Sequence, residues 1–273
     1  MVKAARSSNE VLTAGIGMLA RVWRSLVAPA LGAYIPLGAL TLLTFQMTGA
    51  NEFLTLTFND PDALDAMPTE ELLQLATPFA NALFIALLLQ IVASAFITLA
   101  SSRIVAAEID GQPITGGAAS RFAMSRIVAL VAAGIIAVAG VSIGLLLLVI
   151  PGIWLSISVA MLPHVVALED RGVIGSLTRS IRLVRGRWWP TLGYLLLVGL
   201  MGWVAGWLLQ VVAIPLVAVG DVSTSLALVF VAGLMLQGLV VAAIAVMNTM
   251  WYFDLRARQE QAVSESPSPP FFS

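Results

Sequence analysis

Six long apolar stretches dominate this chain and leave it few ways to fold. They cover residues 27–47, 79–101, 127–150, 153–168, 191–217 and 223–253. A helix that crosses the hydrocarbon core of a bilayer needs about 20 apolar residues. Of the six stretches, only the fourth is shorter than that. The pattern predicts an all-α polytopic membrane protein with six transmembrane helices, in a single membrane domain over residues 1–258.

The composition excludes several classes of protein. Charged residues make up 11% of the chain and hydrophobic residues 59%, whereas a soluble domain carries about 25% charged residues. This excludes a soluble enzyme, a nucleic-acid-binding protein and a disordered regulator. The chain has no Cys and a single His, His164. We therefore expect no thiolate or multi-histidine metal centre and no cofactor.

The third and fourth stretches are separated by the dipeptide Pro151-Gly152. Proline presets φ for a turn and glycine accepts positive φ. The sequence therefore predicts a helical hairpin that turns at this dipeptide.

The basic residues predict the orientation of the spans. All 14 Lys and Arg fall before span 1, between spans 2 and 3, between spans 4 and 5, or after span 6. The opposite side carries seven acidic residues and no basic ones. The positive-inside rule then predicts a multi-pass protein of the bacterial inner membrane with both termini in the cytoplasm.

Two segments outside the spans have distinctive compositions. The outer segment 48–78 is acidic, and we expect a solvated loop there with a helix starting at Thr69. The segment 259–273 is rich in Ser and Pro. Such a composition is typical of a disordered tail, which would lie in the cytoplasm.

Arginine-rich segments precede spans 1, 3 and 5. From Glu10 and again from Arg171, apolar residues recur with a helical period opposite polar ones, which predicts amphipathic helices in the headgroup layer on the cytoplasmic side. Shifts of 61 and 161 residues align Arg121 and Arg21, respectively, with Arg182. The alignment suggests three parallel helix-hairpin repeats; the alternative is that any arginine-flanked span resembles another.

The densest candidate site lies before span 5. It consists of Arg179, Arg182, Arg185, Arg187, Trp188 and Trp189. Guanidinium groups bind phosphate oxygens through paired hydrogen bonds, so the cluster favours a lipid-headgroup or phosphate site. The alternative is a topology anchor beside an aromatic belt. Arg21, Arg24 and Arg121 are further candidates, and anionic membrane lipids are the expected partners.

His164 lies near the inner end of span 4. As a lone titratable group it could sense pH or relay a proton. The more usual arrangement is a neutral interfacial histidine bonded to the backbone, and Pro163 frees a carbonyl one turn earlier. No acidic residue lies in the middle of a span, which argues against an ion-coupled pump.

One stretch resembles a known family. The residues are Pro151-Gly152-Ile153-Trp154, Pro163, Ala167-Leu168-Glu169, Gly172-Val173 and the run from Ser180 to Trp189. They resemble the membrane domain of some glycerophosphoryl diester phosphodiesterases and of related stand-alone bacterial membrane proteins, most closely over residues 149–199. In the two-domain members a separate soluble barrel carries catalysis with His, Glu and a metal. The resemblance therefore implies architecture here and not that activity.

These observations favour a protein without catalytic activity that binds or moves a lipid or other amphiphile at the cytoplasmic leaflet. One alternative is an accessory subunit that packs on a partner protein, or on a second copy, through span 5. In that span Gly202 and Gly206 have the GxxxG spacing of close helix contacts. A small-molecule transporter is a second alternative. An intramembrane enzyme would have to rely on His164, Glu169 and Asp170.

Overall fold

The computed structural model describes residues 7–213 and 222–265, and this part of the chain is helical with no strand. The helices are α1 (Ser8–Thr48), α2 (Ala50–Asn59), α3 (Pro61–Asp65), α4 (Thr69–Ile109), α5 (Gly116–Leu147), α6 (Val149–Ser158), α7 (Leu162–Leu168), α8 (Gly172–Val184), α9 (Trp188–Ala213) and α10 (Val222–Glu265).

Six helical segments are long and apolar enough to cross a membrane. They are Ser8–Thr48, Thr69–Ile109, Gly116–Leu147, Val149–Leu168, Trp188–Leu209 and Ala232–Glu265. The predicted all-α polytopic fold is thereby confirmed. The end of predicted span 5, residues 214–217, lies outside the described residues.

The N-terminal amphipathic segment and span 1 form one continuous helix. Ser7 and Glu10 form a capping box at its start: the Ser7 amide donates to Glu10 Oε2 over 2.7 Å, and the Glu10 amide donates to Ser7 Oγ over 3.3 Å. These bonds satisfy two amides that a helix end otherwise leaves without partners. Helix α1 therefore begins at Ser8, well before the predicted boundary at residue 27.

The outer segment 48–78 is more ordered than predicted. Helices α2 and α3 lie within it, so the expectation of an open loop is wrong. The Asp60 side chain accepts a hydrogen bond from the Ala63 amide over 3.2 Å, and Pro61 occupies the first turn of α3. Helix α4 begins at Thr69, as predicted.

The turn between spans 3 and 4 lies before the predicted dipeptide. Leu148, with φ −156° and ψ 126°, is the single residue between α5 and α6. Pro151 and Gly152 belong to α6, and proline is tolerated at its position because an amide in the first turn has no intrahelical acceptor. The return span also divides into α6 and α7.

The predicted disordered tail is helical over its first part. Helix α10 continues to Glu265, so the expectation of disorder from residue 259 is wrong for 259–265. Arg256 pairs with Glu260 one turn later, with Nε 2.9 Å from Oε1. Arg258 pairs with the buried Asp254 at 2.7 Å. Residues 266–273 lie outside the described part.

The chain divides into two compact units. Unit 1 comprises Met1–Pro29, Ala95–Gly202 and Val241–Ser273, and unit 2 comprises Ala30–Ser94 and Trp203–Val240. In unit 1, the Trp251 ring stacks on Tyr194 at 4.3 Å, and its indole donates to Thr191 Oγ1 over 3.2 Å. These contacts fix the start of α9 against α10.

Unit 2 has a core of its own. The Tyr34 hydroxyl accepts a hydrogen bond from Gln90 Nε2 over 2.7 Å. Its ring lies so close to Gly238 that a Cβ there would be 2.9 Å from the ring. Phe79 packs between Phe45 and Phe53.

The 61-residue shift aligns two turns of unit 1 that have the same backbone geometry. Gly111 and Gly172, 61 positions apart, have φ of +72° and +65°. This left-handed conformation favours glycine because it lacks a Cβ. At the same shift, the buried residues Ala119 and Ala123 of α5 align with the buried residues Ser180 and Val184 of α8.

Candidate functional site

Glu169 is the centre of a polar network between α7 and α8. Its carboxylate accepts hydrogen bonds from Arg179 Nε at 2.9 Å, from the Tyr252 hydroxyl at 2.8 Å and from Arg171 Nε. The side chain is 9% exposed. A carboxylate this enclosed is stable in its charged form because several donors surround it.

The surroundings of Glu169 change its acidity in two opposing ways. Burial alone would raise the pKa of the carboxyl. The hydrogen bonds from Arg179, Tyr252 and Arg171, together with the charge of Arg179, outweigh burial and leave the pKa below its ordinary value. Glu169 is therefore an ionised structural group and not a proton donor near neutral pH.

A pocket of about 550 Å³ adjoins this network. It is lined by Leu168, Glu169, Asp170, Arg171, Arg179, Arg256 and Glu260. Its charges pair with one another or with a neighbour: Asp170 lies 2.9 Å from Arg126, and Glu260 lies 2.9 Å from Arg256. The three acidic and three basic residues of the lining therefore leave it without net charge.

Arg179 belongs to this network and not to an open phosphate site. Besides its bonds to Glu169, its Nη1 donates to Gln259 Oε1 over 2.6 Å. Gln259 Nε2 in turn donates to the Arg182 carbonyl over 2.6 Å. The Arg179 guanidinium thus already has protein acceptors, and it ties α8 to the end of α10.

The other predicted residues of the cluster form the corner between α8 and α9, which we call the α8–α9 corner (Arg182, Arg185, Arg187, Trp188 and Trp189). Helix α8 ends at Val184, and Gly186, with φ +86°, reverses the chain before α9 begins at Trp188. The Trp188 indole donates to the Trp154 carbonyl over 3.1 Å, which holds the corner against α6.

The three arginines of the α8–α9 corner lack acidic partners. Among the described residues, none of Arg182, Arg185 and Arg187 forms an ion pair. Arg187 Nε is buried and has no hydrogen-bond acceptor within residues 7–213 and 222–265. Trp189 packs edge-on against Trp188 at 4.7 Å and is 74% exposed. The corner combines available guanidinium groups with an exposed aromatic ring.

Arg21, Arg24 and Arg121 lie elsewhere in unit 1 and are exposed. Arg21 Nη2 lies 4.0 Å from the Met18 sulfur. The Arg24 guanidinium lies over the Trp23 ring, 5.4 Å from its centre. No carboxylate pairs with any of these three within residues 7–213 and 222–265.

His164 is buried, and its hydrogen-bond partners are side chains rather than backbone, so the expected bond to the backbone is wrong. It is 2% exposed, with Nδ1 2.9 Å from Ser102 Oγ and 3.2 Å from Thr249 Oγ1. Hydroxyl groups on α4 and α10 supply these contacts because both helices pack against α7. Pro163 therefore does not supply the partner of the ring.

The hydroxyl protons determine what this cluster can do. Ser102 donates to the Thr98 carbonyl over 2.7 Å, and Thr249 donates to the Ala245 carbonyl over 2.6 Å. Because both hydroxyls have a carbonyl acceptor, the network favours Nδ1 of His164 as the donor to the two oxygens. A serine nucleophile needs the opposite polarity, in which histidine accepts the serine proton.

Comparison with known proteins places this chain in a family. A family model described as "Domain of unknown function (DUF7847)" matches residues 9–255. The chain belongs to this family. Searches of curated proteins and of solved structures gave no match. The matched range contains the α8–α9 corner, His164 and Glu169, and it ends before Gln259.

Several residues of these networks were absent from the sequence-based prediction. Tyr252, Ser102 and Thr249 lie within apolar spans, where a single hydroxyl gives no signal of its partner. Gln259 lies in the segment predicted to be disordered. In the described ranges 7–213 and 222–265, no group of three or more His, Asp or Glu side chains is placed to hold a metal ion.

Proposed function

We propose that this membrane protein binds the anionic headgroup of a lipid or other amphiphile at the α8–α9 corner, without catalysing a reaction. The site would face the cytoplasmic leaflet of a bacterial inner membrane, with both termini in the cytoplasm, because the arginines cluster on that side. The observation that carries the proposal is that Arg182 and Arg185 are exposed and form no ion pair among the described residues.

The headgroup would be recognised by charge and hydrogen bonding. A guanidinium group binds phosphate oxygens through paired hydrogen bonds. Arg182 and Arg185 are exposed and precede Arg187 in the same corner. The corner also contains the first residues of α9, where unpaired amides and the helix dipole favour negative charge.

An acyl chain would be accommodated along α9. Trp189, Leu196 and Leu200 are exposed and lie on one helix face with Gly193. A Cβ built on Gly193 would meet nothing within 4 Å. The glycine therefore leaves a notch between the larger side chains. A hydrocarbon chain laid there would run away from the arginines and into the membrane.

A test uses phospholipids that carry bromine on their acyl chains, which quench tryptophan fluorescence on contact. We expect an anionic brominated phospholipid to quench wild-type fluorescence at lower concentration than a zwitterionic one. Trp189→Phe should remove much of the saturable quenching. Arg187→Gln should abolish the preference for the anionic lipid. Arg256→Gln is the charge-matched control, since Arg256 already pairs with Glu260. Equal responses in all variants would contradict the proposal.

The second candidate is an accessory subunit that packs on a partner protein through α9. Gly199 favours it, because a Cβ built there would meet nothing within 4 Å, and this leaves room for another helix. Gly206 favours it less, since a Cβ there would lie 3.3 Å from Gln237 Oε1 within unit 2. Cross-linking from Gly199→Cys to another protein would support this alternative. The resemblance to the phosphodiesterase membrane domain stays a prediction.

A further inference from the structure

We infer that the tip of the α5–α6 hairpin, residues 145–150, ends among lipid acyl chains. It would stay within the hydrocarbon and would not emerge into water. The chain would then form a membrane hairpin without an aqueous loop. Three features of the tip support this: its tight turn, its side chains and its backbone hydrogen bonds.

The two helices meet at the smallest possible connection. Leu148 is the single residue between them, and the backbones touch beside it. A Cβ on Gly152 would lie 2.6 Å from the Leu145 amide nitrogen, and one on Gly144 would lie 3.0 Å from the Gly152 Cα. Small residues permit this approach, which is how helices pack closely in membranes.

The side chains of the tip suit hydrocarbon and not water. From Ile143 to Leu155 the sequence contains no charged, hydroxyl or amide side chain. The five residues from Leu146 to Ile150 are 61–85% exposed. An exposed patch of this kind needs an apolar covering. Lipid chains supply it wherever a spanning helix faces the bilayer.

The backbone at the tip is paired in part. The Leu148 amide donates to the Gly144 carbonyl over 3.0 Å, and the Gly152 amide lies 3.5 Å from the Leu148 carbonyl. Pro151 has no amide hydrogen to satisfy. In hydrocarbon every unpaired N–H is unfavourable, so a one-residue turn with proline three residues later reduces the number of such groups.

Single cysteines test this directly, because the chain has none of its own. Leu148→Cys and Ile150→Cys are compared with Asp62→Cys, an exposed residue of α3. A membrane-impermeant maleimide is applied to intact cells. We expect both tip cysteines to react at least about tenfold more slowly than Asp62→Cys, since the reactive thiolate does not form in hydrocarbon. Comparable rates would overturn the inference.

A second measurement separates lipid from a protein cover. Nitroxide labels on the same cysteines in liposomes are exposed to oxygen, which enters the bilayer, and to a water-soluble nickel chelate. High accessibility to oxygen with low accessibility to the chelate supports insertion into the acyl chains. Low accessibility to both would mean that a partner or a second copy covers the tip, and would overturn the inference. Two separate tip positions guard against a variant that fails to fold.

Discussion

The Tyr252 hydroxyl donates a hydrogen bond to Glu169 Oε1 over 2.8 Å, joining α10 to the connection between α7 and α8. The Tyr252 ring also lies near His164, with ring centres 6.3 Å apart. Tyr252 thus stands between the buried hydroxyl–histidine cluster and the arginine–glutamate network. The arrangement makes Glu169 a structural centre of unit 1, while the unpaired arginines of the α8–α9 corner stay available to a ligand.

Glu169→Gln should destabilise the protein strongly, although the two side chains have nearly the same shape. The substitution keeps the shape but removes the negative charge that faces Arg179 and Arg171. Loss of hydrogen bonds to a charged group should lower the free energy of unfolding by about 2 kcal/mol. Thermal unfolding in detergent measures this. Glu260→Gln removes an exposed pair on α10 and should change stability by less than about 0.5 kcal/mol. Equal losses in the two variants would contradict the central role of Glu169.

The contribution of Glu169 should depend on pH. Its pKa in the folded protein lies below its ordinary value of 4.5, so the unfolded chain binds the proton more readily. The stabilisation is complete well above pH 4.5 and is lost as the pH falls through the lower pKa of the folded state. Unfolding temperatures of wild type and Glu169→Gln should therefore differ at about pH 7 and converge once the pH has fallen through the folded-state pKa of Glu169. A difference that grows with acidification would contradict this.

His164 should matter for packing and not for chemistry. His164→Ala removes a fully buried ring and should lower the free energy of unfolding by about 2–5 kcal/mol through the cavity it leaves. Ser102→Ala removes one acceptor and should lower it by only about 1 kcal/mol. Because the Ser102 proton already binds the Thr98 carbonyl, a fluorophosphonate probe should not label this serine. Labelling that disappears in Ser102→Ala would contradict the tautomer assignment.

Gly152→Ala should disturb the α5–α6 hairpin. The new methyl group would meet the Leu145 backbone nitrogen at 2.6 Å, and backbone cannot move aside as a flexible side chain can. Overpacking of this kind lowers the free energy of unfolding by about 1–3 kcal/mol. Gly134→Ala on α5 is the matched control, because a Cβ there meets nothing within 4 Å. Yields of folded protein and unfolding temperatures distinguish the two, and equal tolerance would contradict the close approach.

The sequence predicts the spans well because hydropathy is a property of the segment itself. It misplaces the turn at Pro151-Gly152, since a proline suits the first turn of a helix as well as a reverse turn. It pairs His164 with the backbone, because the hydroxyls of Ser102 and Thr249 come from distant parts of the sequence. The arginine cluster can be recognised from the sequence. The exclusion of Arg179 from the α8–α9 corner cannot, because it depends on hydrogen bonds to Glu169 and to the distant Gln259.

Native mass spectrometry of the protein released from nanodiscs tests the central claim most directly. Wild type and Arg256→Gln should each retain a stoichiometric anionic phospholipid or other anionic amphiphile. A variant with Arg182→Ala, Arg185→Ala and Arg187→Gln should lose it while remaining folded. A retained mass equal to free phosphate would identify an inorganic anion instead of a lipid. Equal retention by all three proteins, or a wild type that carries no ligand, would contradict the proposal that the α8–α9 corner binds an anionic headgroup.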